Sequence, residues 1–179
     1  VKKRNLIAKK YDRYFAGHKI IKKAQIINNN ELSSYHLYLI RIDFNKLKIS
    51  RAKFFIKKGD KIITSPITFV STASIGYYSG ADPVFSDIDP KTVNLSAEIL
   101  DKTLNSIRNN KFIIPVHFGG LPCDMKRIKK IGDKTNSVII EDAAHALGSK
   151  YSDGSMVGNC KYSDATVFSL HPVKIIAAG

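Results

Sequence analysis

The chain has 179 residues, 44% hydrophobic and 25% charged, with a formal net charge of +14, an ordinary globular composition with room for one medium domain or a large and a small one. No apolar run approaches the roughly 20 residues of a bilayer-crossing helix, and Val1-Lys2-Lys3-Arg4 is not followed by the apolar core of a secretory leader; no membrane partner is expected, and a cytoplasmic address follows by default. Cys123 and Cys160 are too few for a disulfide framework and are expected as free thiols.

The charge is uneven. Residues 1–58 carry sixteen Lys and Arg against Asp12, Glu31 and Asp43, whereas 59–179 are close to neutral. That asymmetry is the usual footprint of polyanion binding. The basic segment, however, has no zinc-finger spacing, no RNP wording and no unbroken basic run, and its lysines alternate with Ile, Tyr and Phe. A solvated lysine-rich face accounts for it, and no nucleic acid partner is expected.

In chain order, Ile7, Tyr11, Tyr14 and Phe15 recur at helical spacing, which predicts an amphipathic helix that Gly17 ends. Asn28-Asn29-Asn30 marks a loop, 35–42 is apolar at both parities as a strand covered on both sides would be, and Ser50 can cap a following helix. From Gly59 the pattern changes. Short Ile/Val-rich strands are expected at 61–64, 83–85, 112–116, 137–140 and 165–168, alternating with helices near 69–78, 97–107 and 125–134. Such alternation predicts an open α/β sheet whose site lies at the carboxyl ends of its strands.

Two of those strand ends carry chemistry. Glu141-Asp142-Ala143-Ala144-His145-Ala146-Leu147 follows one, and Phe168-Ser169-Leu170-His171-Pro172-Val173-Lys174 follows another. A carboxylate beside one loop and an amine on the next are what pyridoxal phosphate chemistry requires: the amine holds the aldehyde, and the acid keeps the ring nitrogen protonated. Glu141 is expected to point away from Asp142, because neighbours on a strand diverge.

The wording "EDAAHALGS", "SLHPVK", "SPITFVSTASIGYYSGADPVFSDIDPKT" and "IIPVHFGGLPCDM" resembles the fold-type-I sugar aminotransferase family, which aminates nucleotide-linked keto-sugars. Within it, "HPVK" most resembles the branch that places the 4-amino group on a UDP-linked sugar bound for pseudaminic acid. The resemblance implies part of a seven-stranded, mainly parallel large domain, pyridoxal 5'-phosphate as cofactor, glutamate as amino donor, a UDP-linked 4-keto-6-deoxy sugar as acceptor, and a homodimer. It also implies roles: Lys174 for the aldehyde and the proton transfer, Asp142 for the ring nitrogen, His145 for the ring hydroxyl, Ser169 for the phosphate and Phe69 for the ring face.

Residues 1–58 resemble the family's C-terminal small domain and 59–179 the first half of its large domain, so two family pieces stand in reversed order. The family's Gly-Thr or Gly-Ser phosphate turn has no match before Lys61, and the Gly-rich stretch after the lysine reads Ala177-Ala178-Gly179 in place of Thr-Thr-Gly. These departures leave a second reading open, a non-catalytic remnant or interaction module derived from such an enzyme. A metal is not expected. Asp87-Ile88-Asp89 imitates a cation-binding pair, but the family has the same wording at a strand-to-turn junction, and His117, Cys123 and Cys160 lack paired ligand spacing.

Overall fold

The computed structural model describes residues 2–19, 21–23, 40–42, 56–108, 111–171 and 173–174. The expectations for Asn28-Asn29-Asn30, most of 35–42, the cap at Ser50, Pro172 and Ala177-Ala178-Gly179 lie outside them. The chain divides into two compact units. The first holds helix α1 (Lys2–Phe15) and the strands β1 (Ile21–Lys23) and β2 (Ile40–Ile42). Tyr11 and Phe15, four residues apart on α1, stack with ring centroids 6.2 Å apart. An Asp12–Lys23 ion pair at 3.0 Å ties the helix to β1, which pairs antiparallel with β2.

The second unit is a parallel sheet. Its strands are β3 (Lys61–Thr64), β4 (Asp82–Phe85), β5 (Lys111–Ile114), β6 (Val138–Asp142) and β7 (Ala165–Val167), in the order β4-β3-β5-β6-β7. Helices α2 (Val70–Ser79), α3 (Ala97–Asn105) and α4 (Met125–Lys134) fill the connections. The boundaries follow local chemistry. Pro83 is tolerated because β4 lies at the sheet edge, where a missing N–H removes no ladder bond. Pro115 interrupts β5 earlier than expected, though Val116 still bridges to Asp142. Ser96 caps α3 through the Ile99 N–H at 3.4 Å, and Asp124 caps α4 through Arg127 N–H at 3.2 Å.

Strand alternation sorts the core into two layers. Ile63, Ile113 and Ile139 pack with Leu100 and Leu104 of α3 and Met125 and Ile128 of α4. Ile62, Phe112, Ile114 and Val138 pack on the other face. Helix α2 belongs to that second face: a side chain at Gly76 would meet Ile62 Cδ1 at 3.1 Å. Helices on both faces of a parallel sheet make a doubly wound fold. Because β4 and β5 leave β3 in opposite directions, the topological switch point lies between β3 and β5, and their carboxyl ends are where such folds bind ligands.

Candidate functional site

Four loops meet at that carboxyl end, after β3, β5, β6 and β7; Phe69, His145, Ser169 and Lys174 sit on three of them and Asp142 ends β6. Asp142 is the last residue of β6 and half-buried. Its Oδ1 accepts the Ala144 N–H at 3.1 Å, which turns the chain, and its Oδ2 accepts the Thr72 hydroxyl of α2 at 3.2 Å. The carboxylate therefore both closes a local turn and reaches across the sheet end. The Asp142 backbone is held as well, with its N–H on the Pro115 carbonyl at 2.9 Å and its carbonyl on the His117 N–H at 3.0 Å.

His145 lies three residues further along, half-buried, with the Phe118 ring edge-on at 6.3 Å. Its Nε2 is 2.8 Å from Lys174 Nζ. Lys174, on the loop after β7, is half-buried, and its backbone N–H closes a turn onto the His171 carbonyl at 2.8 Å. Amine, imidazole and carboxylate are thus joined through one short stretch, Asp142 to His145. Ser169 occupies the same loop as Lys174, where its hydroxyl accepts the His171 N–H at 3.4 Å. Phe69 stands at the start of α2 with 71% of its surface exposed, its carbonyl accepting the Thr72 N–H at 2.9 Å.

Glu141 does point away from Asp142. Strand parity sets it on the α3/α4 face, where it is 0% exposed. Its Oε2 accepts from His117 Nε2 at 2.7 Å and Tyr151 Oη at 2.6 Å, and its Oε1 from Ser163 and Thr166. The Cys123 N–H donates to His117 Nδ1 at 3.1 Å, which assigns the ring proton to Nε2. Burial alone would raise the Glu141 carboxyl, but hydrogen bonds from His117, Ser163 and Tyr151 override it and hold the group below its ordinary value. The same burial and the facing carboxylate push the Tyr151 phenol up.

Sequence reasoning did not single out Thr72, Tyr151 or Thr68. Thr72 lies in the first turn of α2, three residues after the N-cap Phe69. The partners of Glu141 come from distant segments and had no legible signal. Among the described residues, Thr68 Oγ1 is the buried side-chain polar atom left without a hydrogen-bond partner, and it lies between β3 and α2 at the same sheet end. A carboxylate, an amine, an imidazole and an unpaired hydroxyl around one sheet end form a donor and acceptor set that fits a phosphorylated pyridine aldehyde. Asp87 and Asp89, by contrast, spend carboxylate oxygens on the Ile88 and Lys91 N–H groups of their own turn.

Comparison with known proteins identifies the family. Residues 46–179 match the model of the DegT/DnrJ/EryC1/StrS aminotransferase family. The spore coat polysaccharide biosynthesis protein SpsC of Bacillus subtilis is 41% identical over 124 residues, 69% of this chain and 31% of that protein. Among solved structures, a DegT/DnrJ/EryC1/StrS aminotransferase from Brucella abortus is 32% identical with a TM-score of 0.62, over 66% of this chain and 32% of that one. Helicobacter pylori PseC, an aminotransferase involved in pseudaminic acid biosynthesis, is 32% identical with a TM-score of 0.60, over 69% and 32%. The chain spans about a third of the length of the relatives it matches.

Proposed function

We propose a transaminase function for this chain, which belongs to the DegT/DnrJ/EryC1/StrS aminotransferase family. The family's cofactor is pyridoxal 5'-phosphate. When bound, that group supplies an aldehyde that carries nitrogen between substrates and a ring that accepts electrons. Every other part of the work falls to side chains. Asp142 would accept the ring N–H and so favour the protonated ring nitrogen. Lys174 would hold the aldehyde carbon and would serve as the base that moves the substrate proton. His145 would pair with the ring hydroxyl, Phe69 would cover a ring face and exclude water, and Ser169 would donate to the phosphate.

The observation that carries this reading is the 2.8 Å approach of Lys174 Nζ to His145 Nε2, three residues from Asp142. An isolated lysine after a strand would be a solvated charge; this one is drawn onto the loop that holds the acid.

The substrate proposal is finer. A nucleotide-linked 4-keto-6-deoxy sugar, carried on UDP, receives the amino group, and glutamate supplies it. Support comes from the "SLHPVK" wording and from the likeness to PseC and SpsC. Two subunits of this chain form the working unit, which gives a role to the exposed Val70, Tyr77 and Tyr78 of α2. The division into 1–58, as a small-domain piece, and 59–179, as a large-domain piece in reversed order, is part of the same proposal.

The test is covalent capture. The chain is mixed with pyridoxal phosphate, reduced with borohydride and digested, and the modified peptide is identified by mass. A yellow chain labelled at Lys174, and a colourless unlabelled Lys174→Ala variant, support the reading. An unlabelled wild-type chain overturns it in favour of the non-catalytic module. Label spread over surface lysines and unchanged in Lys174→Ala overturns it as well.

A further inference from the structure

We propose that Thr72 is a positioning residue that holds the Asp142 carboxylate in the orientation needed to accept a ring N–H, a role that rests on the cofactor reading above. Three observations carry it. Strand alternation puts Asp142, like Val138 and Ile140, on the sheet face that α2 covers, while Glu141 goes to the other. Thr72 is 8% exposed and meets Asp142 Oδ2 at 3.2 Å across a sequence separation of 70 residues. Its hydroxyl also departs from the habit of its neighbours. Ser74, Ser79 and Thr103 all donate to the carbonyl four residues back in their own helices, the usual outlet for a helical hydroxyl. The Thr72 hydroxyl instead crosses to the strand end.

The consequence is geometric. The terminal torsion of an aspartate is broad and roughly two-fold, so a carboxylate held at one oxygen can still swing. Asp142 is held at both, by the Ala144 N–H on Oδ1 and by the Thr72 hydroxyl on Oδ2. Each oxygen keeps a lone pair for a further donor. Thr72 is β-branched and therefore stiff at χ1, and its own N–H is bonded to the Phe69 carbonyl at 2.9 Å. One helical turn thus links the residue proposed to cover the ring with the residue that aims the acid at its nitrogen.

The experiment compares wild type, Thr72→Val and Thr72→Ser for binding of two probes. One is pyridoxal phosphate; the other is its deaza analogue, in which carbon replaces the ring nitrogen. Valine keeps the shape and removes the donor, and serine restores the donor. Valine is expected to weaken pyridoxal phosphate about tenfold, the scale of one hydrogen bond to a charged group. It should also diminish the yellow colour at limiting cofactor, while leaving the analogue's affinity unchanged; serine should stay within about twofold of wild type. Should the valine chain melt early, Thr72→Ala carries the same comparison. Equal loss for both probes, or equal loss in valine and serine, makes Thr72 a packing residue and overturns the inference. A valine chain that binds and absorbs like wild type overturns it too, and leaves the cofactor reading standing. A wild-type chain that binds neither probe takes both down.

Discussion

Replacing Glu141 with glutamine tests the buried cluster on which the site's backbone rests. Each carboxylate oxygen takes two donors: His117 and Tyr151 on one, Ser163 and Thr166 on the other. Since Cys123 occupies His117 Nδ1, the imidazole has only a donor to offer, so the glutamine carbonyl must face His117 and Tyr151. Its amide then faces Ser163 and Thr166, whose hydroxyls can turn to accept. No polar atom is orphaned, and what is lost is charge assistance, roughly 1 kcal/mol for each of the four bonds, offset by relief of a buried charge. The expected net cost is about 1–3 kcal/mol. Glu141→Ala strands the donors and should cost about 3–5 kcal/mol, a large share of a typical total of about 5–15. Urea unfolding followed by circular dichroism measures both. The pH dependence has a definite sign. The folded carboxyl titrates below its unfolded value, so its contribution is complete above about pH 4.3 and is lost as acid carries the pH through the folded value. The gap between wild type and Glu141→Gln should therefore narrow in acid. A glutamine chain within about 0.5 kcal/mol of wild type at neutral pH, with a gap that does not change in acid, would refute the reasoning.

Two further outcomes are expected. Gly120 has φ +86°, and an added Cβ would lie 2.7 Å from the His145 carbonyl oxygen; Gly120→Ala should cost about 1–3 kcal/mol by thermal melting and reduce covalent capture at Lys174 by displacing His145. Burial pushes the Cys123 thiol up to about 12, while Cys160 is exposed. A thiol reagent at about pH 8 should therefore label Cys160 alone in the native chain and both cysteines in urea.

Much of the doubly wound sheet was legible because its signal is local. Lys61–Thr64 and Met125–Lys134 fall on the expected boundaries, and α2 begins one residue later than the periodicity suggests. Boundaries slipped where a single residue acts through its backbone: Pro115 stops β5, and Ser106 ends α3 short of the expected 107. Lys174, Asp142, His145, Ser169 and Phe69 could be proposed as a group only because their wording repeats a known pattern. What periodicity could not supply was partnership between distant segments. Nothing local announces that His117, Tyr151, Ser163 and Thr166 converge on one carboxylate, because each pairing depends on the order of strands in the sheet. The same holds for Thr72 and Asp142.

Glu141 and Asp142 show how little separates a structural acid from a proposed catalytic one. They are adjacent, chemically near-identical, and on the same strand. Alternation sends Glu141 into a closed face, where four donors satisfy it and 0% of its surface remains exposed. It sends Asp142 to the face of α2, where two donors anchor it and acceptor capacity is left over. A carboxylate with every lone pair engaged cannot take a proton-bearing ligand without breaking a bond, whereas one that is held yet unsaturated can. The closed member also serves the open one. By drawing together the segment after β5, the loop after β6 and β7 itself, Glu141 fixes the strand end from which Asp142 projects, so the two acids act in series and a shift of one residue in register would exchange their places.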